Sequence, residues 1–357
     1  MSDQAQSLRS LVDKARRDPN ATAPSAASTF AADASGSTSW DSAEKAPERA
    51  LTDALFFAPP LAPQYAVTDS RLHGPEHKPA PNRARVLAVT SGKGGVGKTN
   101  FSTNLALTLA QQGQRVIVLD ADLGLANLHV VLGVTPRYHL EHVLQGERTL
   151  EETLFVGPCG IQIIGGASGL SELANLDGRQ RDRFIESLQR LDTLADVVII
   201  DTGAGLSHTV MSFLHAAEEI LIVTTPEPTA ITDAYATIKV VTGENPDAKL
   251  RLIVNMAQSA EEAQAVANRL DRIARQFMNI GLEFAGFIPL DPVVRAAVRA
   301  QKPFVLTHPN APASRSIAQI AKHLGFGTEA PTAPIKTGGF TGLLGRMQSR
   351  FGLAGRK

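Results

Sequence analysis

The sequence predicts an α/β protein built on a mostly parallel, doubly wound sheet between two layers of helices. The first observation is a set of short, β-branched apolar runs without apolar/polar alternation, which is typical of strands buried on both faces. The second is that helical patterns separate these runs, as repeated βα units require. The third is the 357-residue length with 43% hydrophobic residues, enough for a large core. The runs are RVLAVTS, RVIVLDAD, GIQIIGG, DVVIIDTG, EILIVTTP, LRLIVNMA and EFAGFIPL.

Composition along the chain divides it into four zones. Residues 1–17 carry apolar side chains at helical spacing and predict a short helix. Residues 18–84 are rich in Ala, Pro, Ser, Thr and Asp without a sustained period, which predicts a flexible, disordered tether. Residues 85–327 hold all the predicted strands and form the α/β domain. Residues 328–357 open with Pro and Gly spacing and close with an amphipathic segment.

Charge and cysteine usage limit the classes of function. The formal net charge is +0, so no global field attracts nucleic acid or anionic lipid. Cys159 is the single cysteine, which excludes an internal disulfide and a cysteine metal site within one chain, and we expect it to be buried. No apolar run reaches the roughly 18 to 20 residues of a membrane span, and the N-terminus has no apolar signal core. We expect a cytoplasmic protein.

A phosphate-binding loop follows the first predicted strand. The pattern Gly92-x-x-x-x-Gly97-Lys98-Thr99 stands between RVLAVTS and the helical segment FSTNLALTLAQQG. Glycines let backbone N–H groups turn toward phosphate oxygens, and the helix N-terminus adds positive potential. Lys98 is expected to reach the β- and γ-phosphates and Thr99 to ligate Mg²⁺. The predicted nucleotide-binding residues of the loop are Gly92, Gly94, Gly95, Val96, Gly97, Lys98, Thr99 and Asn100.

The loop contains a second lysine, Lys93, too early to duplicate the work of Lys98. KGGVGKT resembles the deviant phosphate loop of the MinD/ParA family of ATPases. The resemblance implies that Lys93 crosses a dimer interface to the phosphates of the other subunit, with a catalytic role, and that ATP joins two copies of the chain. The alternative is that Lys93 is a solvated surface charge.

Two further segments resemble the switch regions of that family. VLDADLGLANL resembles the first switch, which implies that Asp120 lies near the metal and Asp122 beside the attacking water. A carboxylate there can orient the water and respond to the γ-phosphate. DVVIIDTGAG ends its strand at Asp201, which resembles the Walker B acid that holds Mg²⁺.

The adenine side of the site is predicted from two later segments. IVNMA resembles the family segment that makes Asn255 the base-reading residue. IPLDPVVRAAVRAQKPF resembles the loop that closes over adenine, which implies contacts from Pro289 and Asp291.

The N-terminus and the switch sequence point to one branch of the family. GKTN and DLGLAN resemble FlhG-type (FleN/YlxH) regulators of flagellar number and placement. The N-terminal residues resemble the DQAxxLR motif by which such proteins activate FlhF, a GTPase of the signal-recognition-particle type. This assigns GTPase activation to Asp3, Gln4, Ala5, Leu8 and Arg9, with residues 1–17 as the activator helix. The resemblance also implies flagellar switch-complex proteins and a flagellar transcriptional activator as partners.

The C-terminal segment predicts an interfacial amphipathic helix. Its apolar positions recur at helical spacing and basic residues accompany them. Three glycines weaken the helix, so we expect disorder until the segment finds a surface. Contact with an anionic membrane is predicted for Phe340, Leu343, Leu344, Met347 and Phe351. This would place the protein at the inner face of the cytoplasmic membrane, at the cell pole. The alternative is that the helix packs on its own core, in a state compatible with later membrane binding.

Two other functions remain as alternatives, a MinD-like and a ParA-like one, and a third, an iron–sulfur carrier, is excluded. A MinD-like division-site regulator explains the tail but leaves residues 3–9 unexplained. A ParA-like DNA-partition ATPase requires nonspecific DNA binding, and the basic residues near Arg181 alternate with acids, so no specific DNA binding is expected. An iron–sulfur carrier requires a cysteine pair, which the chain lacks.

Overall fold

The computed structural model describes residues 83–122, 128–134, 136–166, 178–326 and 338–350. Its strands are β1 (Arg85–Ser91), β2 (Val116–Ala121), β3 (Phe155–Val156), β4 (Gln162–Ile164), β5 (Val197–Ala204), β6 (Glu219–Thr224), β7 (Lys249–Ala257) and β8 (Glu283–Pro289). They form one eight-stranded sheet in the order β3-β4-β2-β5-β1-β6-β7-β8. Every neighbouring pair is parallel except β3 and β4. The predicted fold class is confirmed.

Helices cover both faces of this sheet. They are α1 (Lys98–Gln111), α2 (Leu128–Leu132), α3 (Leu140–Leu144), α4 (Leu150–Thr153), α5 (Gly178–Gln189), α6 (Leu191–Leu194), α7 (His208–Ala216), α8 (Pro228–Glu244), α9 (Ala260–Met278), α10 (Pro292–Arg299), α11 (Phe304–Thr307), α12 (Pro312–His323) and α13 (Gly339–Arg350). Alternate residues of β1 face opposite layers: Val86 and Ala88 join one buried cluster, whereas Leu87 and Val89 join the other. Helices α1 and α12 contribute to the second cluster, and α7, α8, α9 and α13 to the first.

All seven apolar runs contain a strand of the sheet, and the eighth strand was not predicted. β3 has two residues and pairs antiparallel with β4, so it is too short to carry a pattern. The expectation that Cys159 is buried is wrong. Cys159 is exposed and has a φ of 56°, in a short 3₁₀ turn (Pro158–Gly160) where the chain reverses.

The C-terminal segment forms the predicted helix, α13, but its apolar face lies against the core of the same chain. Phe340 and Leu343 are 0% exposed, and Leu344 and Met347 are also buried. They join the cluster that includes Phe213 of α7. This glycine-containing helix therefore packs on its own domain. This is the alternative given in the sequence analysis, in which the helix packs on the core of the same chain. Phe351 lies outside the described residues.

Polar contacts fix the start and the middle of α13. Asp192 accepts hydrogen bonds from the backbone N–H groups of Phe340 (2.7 Å) and Thr341 (2.9 Å) and from the Thr341 hydroxyl (2.6 Å). Arg346 donates from Nε to the Ala216 carbonyl at 2.7 Å and lies 3.1 Å from a carboxylate oxygen of Glu218. These contacts orient the helix beyond what apolar burial alone specifies.

Some of the predictions fall on residues that the structure leaves undescribed. The activator helix at 1–17, with Asp3, Gln4, Ala5, Leu8 and Arg9, and the tether up to residue 82 lie outside the described residues. Within the described part of the chain, none of the helices is long and apolar enough to cross a membrane.

Candidate functional site

Three parallel strands bring the predicted site together at their carboxyl ends. Asp120 on β2 lies opposite Asp201 on β5, and Asp201 lies opposite Val89 on β1. The phosphate loop leaves β1 immediately afterwards and enters α1 at Lys98. Since parallel strands deliver these residues to one edge, the two carboxylates and the loop share a single crevice.

The loop glycines meet close backbone approaches. A Cβ at Gly92 would lie 2.2 Å from the backbone carbonyl carbon of Asp233 on α8, so the loop and α8 touch main chain to main chain. Gly97 has a φ of 89° and forms the N-cap of α1, and Gly95 has a φ of 81°. Both conformations favour glycine. The turn that they form leads into the N-terminus of α1, where backbone N–H groups can bind an anion. Gly94 and Val96 complete the turn, and Asn100 lies in the first turn of α1.

Lys98 is held inside the site by a buried ion pair. Its Nζ lies 3.1 Å from Asp201 Oδ1, and the side chains are 7% and 1% exposed. The Ser102 hydroxyl, one helical turn after Lys98, donates to the same Oδ1 at 2.9 Å. Asp201 Oδ2 is buried with no hydrogen-bond partner among the described residues. A buried carboxylate oxygen without a donor is costly, and it marks a position where a cation or water would bind.

Asp120, opposite Asp201 on the neighbouring strand, lies in an environment that opposes its charge. Burial, reinforced by the charges of Asp201 and Asp122, raises the pKa of Asp120 to about 7. Its oxygens accept the backbone N–H groups of Asp122 (3.2 Å) and Leu128 (3.4 Å), which partly offsets the effect of burial. Asp122 lies against the β5 end, because a Cβ on Gly203 would be 3.4 Å from Asp122 Oδ1.

These residues fit a magnesium ion held mainly by its nucleotide. Among the described residues, no group of three or more His, Cys, Asp or Glu side chains is arranged to hold a metal alone. Mg²⁺ ordinarily takes one or two carboxylates together with phosphate oxygens and water. Asp201 with its free Oδ2, Asp120 beside it and half-buried Thr99 at the start of α1 satisfy that requirement.

Lys93 points to a different place from Lys98. Its Nζ lies 2.8 Å from a carboxylate oxygen of Glu227 and 3.0 Å from the Thr229 hydroxyl. This ion pair is exposed, with side-chain exposures of 39% and 65%. The second lysine therefore lies at the surface, beside the start of α8, where another molecule can reach it.

The residues predicted to contact adenine lie at the ends of β7 and β8. Asn255 is buried, and its amide engages the protein: Nδ2 donates to the Val96 carbonyl at 2.7 Å. Pro289 ends β8. Asp291 is the N-cap of α10, where it accepts from the N–H of Val293 (3.0 Å), and it also accepts from the N–H of Ala313 (3.2 Å) in the first turn of α12. A pocket of about 420 Å³ adjoins this loop; its lining comprises Leu290, Asp291, Pro292, Arg295, Ala296 and Arg299.

Sequence reasoning missed three contributors to the site. Ser102 carries a detectable signal, since a hydroxyl four residues after the loop lysine faces the same side of the helix. Glu227 and Thr229, the partners of Lys93, lie more than a hundred residues away along the chain. No spacing rule connects them with the loop.

Two family models match the domain. One, described as an AAA domain, matches residues 84–250, and another, described as the NUBPL iron-transfer P-loop NTPase, matches residues 178–325. Both include Asp201 and strand β6.

Individual relatives match about two thirds of this chain. The antiactivator FleN of Pseudomonas aeruginosa is 42% identical over 238 residues, which cover 67% of this chain and 85% of that protein. The flagellum site-determining protein YlxH of Helicobacter pylori is 41% identical, over 66% of this chain and 80% of its own length. Among solved structures, the septum site-determining protein MinD of Pyrococcus horikoshii, complexed with Mg-ADP, superposes with a TM-score of 0.55 at 27% identity, over 68% of this chain and 96% of that one.

Proposed function

This chain belongs to the FleN/YlxH (FlhG) group of the MinD/ParA family of P-loop ATPases, and from that membership we propose that it is a nucleotide-dependent switch regulating flagellar number or placement. The chain is an ATPase. The observation that carries the flagellar assignment is the 42% identity to FleN over 85% of that protein. A second flagellar relative, YlxH, supports the same assignment.

The crevice supplies distinct groups for ATP binding and hydrolysis. Lys98, held at 3.1 Å by Asp201, places its ammonium at the phosphate loop, where it neutralises phosphate charge. Asp201, Asp120 and Thr99 would hold Mg²⁺, which neutralises charge developing on the phosphates when bound. Asp122, whose carboxylate lies beside Gly203, would orient the attacking water. We propose that hydrolysis is slow, so that the ATP-bound state lasts long enough to signal.

ATP-dependent dimerisation is the proposed output of the nucleotide site. Lys93 lies at the surface, and in the single chain its ammonium bonds Glu227 and Thr229. An exposed pair of this kind is weak, so Lys93 can exchange it for the phosphates of a second copy. The mass measured by light scattering should double with ATP and fall to one chain in Lys93→Ala. Lys322→Ala, at an exposed site on α12, is the matched control. ATP-dependent dimers of unchanged stability in Lys93→Ala would refute this role.

Membrane attachment is proposed to require release of α13. Of the side chains predicted to contact lipid, Phe340, Leu343, Leu344 and Met347 are buried in the domain, so the docked helix leaves these four no surface to offer a membrane. Two released helices on one ATP dimer would bind anionic lipid as a bivalent unit, raising avidity by roughly 10² or more. Cosedimentation with vesicles of anionic lipid should therefore depend on ATP. A chain ending at Gly338 should remain in the supernatant, and ATP-independent binding by that truncated chain would contradict the proposal.

The N-terminal motif is proposed to activate an FlhF-type GTPase of the signal-recognition-particle class. In this interpretation Gln4 positions a water at the partner's GTP, while Leu8 and Arg9 anchor the helix. The decisive experiment measures GTP hydrolysis by such a partner with the peptide Met1–Arg17 and its Gln4→Ala variant. Stimulation lost in the variant supports the flagellar switch. No stimulation by either peptide, with a competent partner, would leave a generic MinD-like ATPase.

Other partners and locations follow from the same group membership as proposals. They are flagellar switch-complex proteins, a flagellar transcriptional activator and the membrane surface at the cell pole. A ParA-like role would instead require nonspecific DNA binding that weakens steeply with salt. A gel shift on plasmid DNA across a salt series separates these two functions.

A further inference from the structure

A strained residue lies beside the phosphate loop. Met256 has a φ of 57°, in the left-handed region that non-glycine residues seldom adopt. It follows Asn255 at the carboxyl end of β7, and the residue is 38% exposed. Strain of this kind persists where the surrounding contacts require it, and it concentrates at functional sites.

Asn255 shows what the strained backbone holds in place. Its Oδ1 accepts the N–H of Met256 at 2.9 Å, and its Nδ2 donates to the Val96 carbonyl of the phosphate loop at 2.7 Å. Both ends of the amide are therefore engaged within the protein. The fit is tight, because a Cβ on Gly97 would lie 2.3 Å from Asn255 Nδ2.

The peptide linking Val96 and Gly97 transmits this contact to the loop. A trans peptide is planar, so the carbonyl of Val96 and the N–H of Gly97 point in opposite directions. Fixing that carbonyl on Asn255 turns the Gly97 N–H away from Asn255. A phosphate loop depends on the direction of such N–H groups, since they form its anion cradle.

We propose that Asn255 and Met256 form a brace that orients the phosphate loop: Asn255 is a positioning residue for phosphate binding, and the left-handed backbone of Met256 sets its amide. This inference rests on the ATP site proposed above and deepens it. It differs from base reading, in which the Asn255 amide would bond adenine. A brace acts on any ligand with a triphosphate, whatever its base.

The two roles are separated by ligands that share phosphates but differ in base. Binding of MgATP, MgGTP and inorganic tripolyphosphate is measured by calorimetry for wild type and Asn255→Ala. The brace predicts that all three ligands weaken by a similar factor, about tenfold for one well-placed hydrogen bond, with the ATP-to-GTP ratio kept. Loss confined to ATP, with tripolyphosphate unaffected, would overturn the brace in favour of base reading.

Met256 offers a matched pair of variants that tests the backbone independently. Met256→Gly removes the side chain but adopts positive φ readily, so it should keep wild-type affinity for tripolyphosphate. Met256→Val also shortens the side chain, yet a β-branched residue strongly disfavours this conformation, so it should weaken tripolyphosphate as Asn255→Ala does. Equal behaviour of the two variants would overturn the role of the backbone.

Failure of the site and failure of the brace give different results. Wild-type protein that binds none of the three ligands would overturn both the ATP site and the brace. Wild-type binding that survives unchanged in Asn255→Ala and Met256→Val would overturn the brace alone. Thermal unfolding of each variant shows that the compared chains are folded.

Discussion

Two buried aspartates at opposite ends of the sheet have opposite surroundings. Asp192 lies near the amino ends of the strands and is 4% exposed. Both of its oxygens accept hydrogen bonds; the donors are the N–H groups of Ala84, Phe340 and Thr341 and the Thr341 hydroxyl. Asp201, at the carboxyl ends, is 1% exposed; its Oδ1 has two partners, whereas its Oδ2 has none among the described residues.

The difference separates a residue that serves the fold from one that serves a ligand. Saturated hydrogen bonding stabilises the folded chain, as at Asp192. A buried oxygen left without a donor destabilises the empty protein and prepares it for a cation. The neighbouring charges repeat the pattern. Near the amino ends Glu219 accepts from Arg85 and Arg251, whereas near the carboxyl ends Asp120 has an acid on the neighbouring strand.

The largest effect is expected where the carboxylate is saturated. Asp192→Ala leaves three N–H groups without this acceptor, two of them buried, and removes the carboxylate at the start of α13, so the free energy of unfolding should fall by about 3 to 5 kcal/mol. Urea denaturation measures this. Asp182→Ala, on the exposed face of α5, is the control and should change stability by less than about 0.5 kcal/mol. A drop below about 1 kcal/mol in Asp192→Ala would show that α13 is held by its apolar face alone.

Asp201→Asn is expected to lower ATP hydrolysis far more than it lowers stability. The amide keeps the shape of the side chain but removes the charge that Lys98 and a metal require, so ATP hydrolysis should fall at least roughly 100-fold. The free energy of unfolding should also fall, by about 1.5 to 3 kcal/mol, because the buried Lys98 ammonium keeps an acceptor but loses its counter-charge. Steady-state hydrolysis and urea denaturation on the same sample test both parts. Hydrolysis at the wild-type rate would remove Asp201 from the site.

A smaller effect concerns pH. The pKa of Asp120 is raised from 3.8 to about 7 by burial, so between these values the folded chain holds a proton that the unfolded chain lacks. The stability of metal-free protein should therefore fall as pH rises through that window and level off above it. Urea denaturation in a chelator at pH 5 and pH 8 measures this slope. Asp120→Asn should flatten it and Asp182→Asn should not; equal slopes in all three proteins would contradict the assignment to Asp120.

The smallest effect is expected at the exposed pair. Glu227→Ala removes the partner of Lys93, but both side chains are solvated, so the free energy of unfolding should change by less than about 0.5 kcal/mol. The buried pair of Lys98 and Asp201 has a similar distance between nitrogen and oxygen. The two pairs therefore differ mainly in burial, and comparing the loss of stability in Glu227→Ala with that in Asp201→Asn tests the effect of burial. A loss above about 1 kcal/mol would show that Lys93 serves the fold.

Sequence patterns predicted what depends on neighbours along the chain. The strands of the central sheet carry uninterrupted apolar runs, and the loop from Gly92 to Thr99 carries its own spacing, so both were predictable. The amphipathic period of α13 was also visible, but a period shows that a face is apolar without showing what covers it. Its cover is α7 and the core around it, and its cap is Asp192, nearly 150 residues earlier. The Asn255 contact with Val96 spans a similar distance in sequence, and no local rule anticipates it.

Asp192 Oδ1 has one more consequence. It accepts both the N–H of Ala84, at the entrance to the first strand, and the N–H of Phe340, in the first turn of the last helix. The first and last elements of the described domain are thus tied at one atom. A force applied to the backbone before Ala84 would therefore act on Asp192 and, through it, on the hydrogen bond that holds the first turn of α13.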